Sequence, residues 1–280
     1  FCIVPSVRGQ EISRRPGDVI REVRGLAAEG VLEVTLLGQN VNTYGRDLAL
    51  DGKRSPIFAD LLRRVGEVDG IERVRFTSPH PADIKEDVAL AMAETPAVCE
   101  QLHLPLQSGS RRILARMHRG YTPERFLDRL AMVREHVPDL TVSTDIIVGF
   151  PGETEDDFQA TLDVVEASQF DSAFMFIFSP RPGTAAAEME DDFIDPDVVQ
   201  ERFQRLLDLQ SGISRQRNEG WVGTELSLLS EGPSEKDPTK TTMRSRGGRL
   251  VHVDGLVPEG TFARARIDGA ATFYLTGSLL

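Results

Sequence analysis

The chain has 280 residues, a mean hydropathy of -0.23 and a net charge of -12 at pH 7, enough length for one full-sized domain and a smaller second one. No apolar run approaches the ~18 residues of a membrane span, and two cysteines exclude a disulfide framework and fit a reducing cytosol. The acidic balance excludes a protein that grips nucleic acid with its whole surface. From Arg217 onward eight basic and eight acidic side chains cancel, so the preceding 216 residues carry the whole -12.

After an opening loop with Cys2, Pro5, Arg8 and Arg14, the apolar spacing of Val19, Ile20, Val23 and Leu26 predicts a helix closed by Gly30. Residues 31–37 read as a buried strand that runs into Gly38-Gln39-Asn40-Val41-Asn42, followed by a Gly- and charge-rich loop from Gly45 to Arg54. Ser55-Pro56 reads as the start of a second helix. The unit then repeats. Predicted strands over 74–77, 102–106, 141–148 and 173–178 end in Ser78-Pro79-His80, Gln107-Ser108-Gly109, Gly149-Phe150-Pro151-Gly152 and Ser179-Pro180. Helices intervene, two of them capped by Thr122 and Thr154, and Asp195-Pro196 starts a long one reaching about Arg217. Five strands alternating with helices predict a parallel sheet in an open or partial α/β barrel. Beyond Gly223 the pattern changes to short runs over 225–229, 249–253, 261–267 and 271–276, broken by Gly and Pro, which reads as a small all-β barrel with a long mobile loop over 232–240.

In α/β folds the site lies at the carboxyl ends of the strands. Gln39, Asn40, Gln107, Ser108, Arg119, Asp145 and the turn from Gly149 to Gly152 would rim that end. Amides, hydroxyls, a guanidinium and open glycine backbone suit a nucleoside-bearing amino acid, and the same spacing suits a sugar phosphate. Asp145 also reads as a hydrogen-bonded core acid, His80 and His103 as packed or capping residues, and Cys99 as a buried small residue. Lys240, Arg244, Arg246 and Arg249 form a stretch without acids, and Arg264 and Arg266 alternate on one strand face. Together they read either as a track for a phosphate backbone or as a solvated face.

Several stretches, taken in order, resemble the radical-SAM methylthiotransferases. These are Phe1-Cys2-Ile3-Val4-Pro5 with Arg8-Gly9 and Ser13-Arg14; the run from His103 to Ser110; Met117-His118-Arg119; the run from Asp145 to Thr154; and the run from Phe178 to Thr184. The resemblance covers the chain from Cys2 to about Arg217. It implies a partial (β/α) radical-SAM barrel, residues 1–216, lacking its first strand, and a small TRAM barrel, residues 217–280. Cys2 would be the third ligand of a C-x3-C-x2-C loop holding a 4Fe–4S cluster, with the other two cysteines upstream of Phe1.

The resemblance implies further roles. Gln107 and Ser108 approach the ribose of S-adenosylmethionine, Arg119 its carboxylate, Gln39 its amino group, and Gly149 to Gly152 its adenine, with Asp145 among the cofactor residues. In the family the cluster splits S-adenosylmethionine to make a 5′-deoxyadenosyl radical, and a second 4Fe–4S cluster on an N-terminal domain carries the sulfur. An electron donor such as flavodoxin or ferredoxin serves the reaction. Of three branches, Leu36-Leu37-Gly38-Gln39-Asn40 resembles the one that methylthiolates isopentenyladenosine beside the tRNA anticodon; the others act on threonylcarbamoyladenosine or a ribosomal-protein aspartate and tend to carry Asp where Asn40 stands. A cytoplasmic transferase follows, whose tRNA contacts would be Lys240, Arg244, Arg246, Arg249, Arg264 and Arg266. The alternative is an RNA-binding fragment without catalysis.

Overall fold

The computed structural model describes Val7, Gly9 and residues 11–48 and 55–280. Cys2, and residues 49–54 of the loop read from Gly45 to Arg54, lie outside the described residues. The elements of the first part are α1 (Pro16–Ala28), β1 (Glu33–Leu36), α2 (Phe58–Gly66), β2 (Arg73–Phe76), α3 (Glu86–Glu94), β3 (Gln101–His103), α4 (Arg111–Arg116), α5 (Pro123–His136), β4 (Thr141–Val148), α6 (Glu155–Ser168), β5 (Ser172–Ile177) and α7 (Pro196–Glu219).

All five strands pair in parallel, as their alternation with helices predicts. β1 pairs with β2, and β3–β4–β5 form a second sheet. A parallel bridge from Val74 to Val98 links the two pieces into one curved wall. Side chains alternate across a strand, and β4 shows it. Val142, Thr144, Ile146 and Val148 are buried under the helices, while Ser143, Asp145 and Ile147 look into the half-barrel's lumen and stay partly exposed. In register with them, Phe174 lies beside Asp145 and Phe176 beside Ile147.

The helix starts follow local chemistry. Thr122 accepts from the N–H of Arg125, and Thr154 forms a reciprocal capping box with Asp157. Asp195 accepts from the N–H of Asp197 at the head of α7. α2 begins at Phe58 rather than at Ser55-Pro56, because the N–H of Ile57 donates to the Tyr44 carbonyl and holds the preceding segment extended.

Beyond α7 come β6 (Glu225–Pro233), β7 (Lys240–Ser245), β8 (Leu250–Asp254), β9 (Phe262–Ala270) and β10 (Leu275–Leu279), closed in the order β10-β8-β7-β6-β9. Leu228, Met243, Val251, Val253, Ala265, Ile267 and Leu275 fill this barrel. Two local boundaries shift. The loop expected over 232–240 is confined to 234–239: β6 reaches Pro233, β7 starts at Lys240, and the Asp237 carboxylate accepts from both the N–H and the hydroxyl of Thr239. The last strand begins at Leu275, not Ala271, because the 271–274 turn is held by Asn218, whose amide donates to the carbonyls of Ala271 and Thr272.

The small barrel seats on the amino ends of the parallel strands. Arg73 and Arg75, on the lumen face of β2, donate to the carbonyls of Ser227, Arg244, Ser245 and Arg246. The reverse contacts come from Arg246, paired with Glu100, and from Arg249, paired with Asp171. The lumen therefore has a closed floor at that end.

Candidate cofactor and substrate site

The opposite rim is built from the carboxyl ends of the strands. After β1, Asn40 accepts from the N–H of Asn42 and donates to Asp83, and Asn42 in turn accepts from the N–H of His80. These amides tie the ends of β1 and β2 together and leave Gln39 exposed. An aspartate at position 40 would set two carboxylates against each other at Asp83. The Nδ2 of Asn42 is buried without a hydrogen-bond partner.

After β3 the chain turns sharply. Gln107 takes a left-handed conformation (φ 66°), its N–H donates to the Asp145 carbonyl, and its carbonyl accepts from Ile147. Ser108 is fully buried with its hydroxyl 3.3 Å from Thr161 of α6 and accepting from the N–H of Ser110. That hydroxyl faces the helix layer rather than the lumen. Gly109 packs so closely on α6 that a Cβ would lie 2.3 Å from the Ala160 carbonyl.

After β4 comes Gly149 (φ 75°), whose absent Cβ makes room for Val199 of α7. The turn is heavily braced: the Gly149 N–H donates to Glu153, the Gly152 N–H donates to the Asp192 carbonyl, and Arg112 donates to the Gly152 carbonyl. Glu153 is buried beside Arg202 at 3.3 Å. Burial raises its carboxyl to about 7, against the opposing pull of the Gly149 N–H and Arg202. Burial acts the same way on Asp157, but hydrogen bonds from Arg112, Ser110 and Thr154 win and hold it well below the usual carboxylate range.

Arg119 follows α4, and its charge reaches the rim. It lowers His80, whose basicity is depressed first by burial. Tyr121 is raised mainly by burial, with Arg119 opposing and Asp145 adding to the rise. Asp145 itself is partly open to the lumen, its Oδ2 3.3 Å from His103 Nε2, while His103 Nδ1 lies 3.0 Å from the Ser143 hydroxyl. The strand ends on this side thus carry an exposed amide (Gln39), a guanidinium (Arg119) and a partly open carboxylate (Asp145), groups of the kinds able to meet a carboxylate, an ammonium and hydroxyls. Among the described residues no group of His, Cys, Asp and Glu is arranged to hold a metal ion.

His103 is packed, as its Leu neighbours suggest, but on the lumen wall rather than in the core, edge-on to Phe174 at 6.0 Å. Strand parity carried the signal, because His103 shares a face with Gln101 and Pro105, all partly exposed. His80 does cap, accepting at Nδ1 from the Ala82 N–H.

The basic residues of the small barrel divide. Arg249 is buried against Asp171, Thr141 and Asn218, with its guanidinium 4.9 Å from the Trp221 ring. Arg246 spans the junction to Glu100 and the Val98 carbonyl. Arg244 is engaged by Glu231 and the Gly248 carbonyl, Lys240 by Asp254 at 3.2 Å, and Arg264 by Glu225. Arg266 is exposed and forms no ion pair among the described residues. No described helix is long and apolar enough to cross a membrane.

The family model described as "Radical SAM superfamily" matches residues 1–165. The chain is 54% identical over 282 residues to the tRNA-2-methylthio-N(6)-dimethylallyladenosine synthase of Corynebacterium jeikeium, covering 98% of this chain and 55% of that protein. The protein of the same name from Saccharopolyspora erythraea is 53% identical, with 98% and 57% covered. The chain thus spans about half the length of the curated relatives it matches. Among solved structures, coproporphyrinogen III oxidase (HemN) from Escherichia coli shares the fold at a TM-score of 0.50 and 15% identity, over 71% of this chain and 46% of that one.

Proposed function

The chain belongs to the radical SAM superfamily, whose members work with a 4Fe–4S cluster and S-adenosylmethionine, and we propose that it is part of a tRNA methylthiotransferase acting on isopentenyladenosine beside the anticodon. The observation that carries this reading is the 54% identity across 98% of the chain to a relative bearing that activity's name. In this reading residues 1–216 are the radical-SAM core and residues 217–280 a TRAM domain. The protein works in the cytoplasm with tRNA and a flavodoxin- or ferredoxin-type electron donor.

When bound, the cluster and S-adenosylmethionine supply a radical able to take hydrogen from an unreactive carbon. The chain's own residues bind and orient. Cys2 is the cluster ligand that this part of the protein contributes. The Arg119 guanidinium holds the cofactor's carboxylate, Gln39 its amino group, and Asp145 accepts from ribose hydroxyls. Gln107 and the braced turn from Gly149 to Gly152 act through rigid backbone, since the N–H and carbonyl of Gln107 and most of the turn's polar groups are already used inside the protein. Ser108 supports that backbone from behind. For RNA, Lys240, Arg264 and Arg266 offer the more accessible cations, with Arg244 beside them, while Arg246 and Arg249 hold the small barrel in place.

The test is anaerobic reconstitution of the full-length protein, followed by mass spectrometry of nucleosides from isopentenylated tRNA. The expected product carries one added methylthio group. Turnover of S-adenosylmethionine without a modified nucleoside, on RNA known to be isopentenylated, would refute the proposal.

A further inference from the structure

Within the lumen one wall differs from the rest. Phe174 and Phe176 project from β5 on the same face, 58% and 52% exposed, which for two phenyl rings side by side is a substantial open apolar surface. Their register against Asp145 and Ile147 places them beside the rim that receives the cofactor. His103 extends the wall, edge-on to Phe174 and pinned by Ser143 and Asp145. Charge narrows what this wall accepts. Arg73 and Arg75, the cations of β2's lumen face, are committed at the floor to carbonyls of the small barrel and to Glu33. Arg119 is assigned to the cofactor's carboxylate, and the carboxylate that does face the wall, Asp145, repels another anion.

We propose that Phe174 and Phe176, with His103 at their edge, receive the apolar N6 substituent of the target adenine and so select a prenylated base over an unmodified or a carboxylate-bearing one. The inference rests on the proposed function and adds the residues that choose its substrate. A five-carbon branched group against two phenyl faces gains by leaving water, and loss of an apolar contact of this kind changes discrimination by about 10-fold or more.

The experiment uses the full-length protein with two anticodon stem-loop RNAs that differ only in carrying N6-dimethylallyladenosine or adenosine. Affinities are read by fluorescence anisotropy for the parent, the double variant Phe174→Ala/Phe176→Ala and the bulk-retaining Phe176→Leu. The expected result is a preference for the prenylated RNA in the parent that falls about 10-fold in the double variant, with the unmodified RNA bound as before and Phe176→Leu in between. Both rings are largely exposed, so the double variant keeps the fold, checked by circular dichroism. An unchanged preference, or equal weakening for both RNAs, overturns the inference and leaves the proposed function standing. A parent that binds both RNAs equally also overturns the inference, and if mass spectrometry of the nucleosides then shows neither RNA methylthiolated by the reconstituted protein, the proposed function falls with it.

Discussion

Replacing Asp171 by alanine should loosen the small barrel from the parallel sheet. Asp171 precedes β5 and its side chain is 4% exposed. One oxygen takes the guanidinium of Arg249, 7% exposed, and the Nε of Arg217 at 3.0 Å, while the other accepts from the Val142 N–H at 2.7 Å. Removing the carboxylate strands the buried Arg249 charge, a change that costs about 3–5 kcal/mol. The Val142 N–H loses its acceptor inside the protein for roughly 1–3 kcal/mol more. Arg217, 37% exposed, contributes under about 1 kcal/mol after screening by water. The sum, at least about 4 kcal/mol, is a large share of the ~5–15 kcal/mol that holds a typical domain together. Urea unfolding of Asp171→Ala measures it, and limited proteolysis should show new cutting near the end of α7. The double variant Asp171→Ala/Arg249→Ala should recover part of the loss, because no charge is then stranded, with a coupling of about 1–3 kcal/mol. If Asp171→Ala stays within about 1 kcal/mol of the parent, the small barrel is not latched through this pair.

Glu153 should make stability depend on pH. Its folded-state carboxyl lies near 7 against an ordinary 4.5, so its contribution is full below about pH 4.5 and is lost as the pH rises through about 7, for a total of about 3 kcal/mol. Urea unfolding at pH 5, 7 and 8.5 should show the parent falling relative to Glu153→Gln; parallel curves would place the titration elsewhere. In the full-length protein, Arg119→Ala should weaken S-adenosylmethionine binding by about 1.5–3 kcal/mol, and lysine should restore it only in part because the planar fork is lost; calorimetry showing unchanged affinity removes Arg119 from the cofactor site. Gly109→Ala drives a methyl into the backbone of α6 and should cost at least about 1–3 kcal/mol, with a thermal midpoint equal to the parent's counting against the close approach.

Much of the fold was legible because it is local. Thr122, Thr154 and Asp195 announce helix starts through contacts two or three residues away, and strand parity alone assigns Asp145 and Ile147 to one face and Ile146 to the other. The order of strands and helices, and with it the position of a rim bearing Gln39, Arg119 and Asp145, follows from such short-range patterns. What the sequence could not disclose depends on partners distant in the chain. Arg246 and Arg249 sit in a basic stretch without acids, yet Glu100 and Asp171 reach them across separations of 146 and 78 residues. Only the seating of one barrel on the other turns apparent surface cations into a junction. Ser108 is likewise claimed by Thr161, 53 residues on, and His103 joins Phe174 and Asp145 only when β3, β4 and β5 lie side by side. Local propensity is written in neighbouring residues, whereas the pairing of a buried charge or the exposure of a ring is decided by which surfaces the closed topology brings into contact.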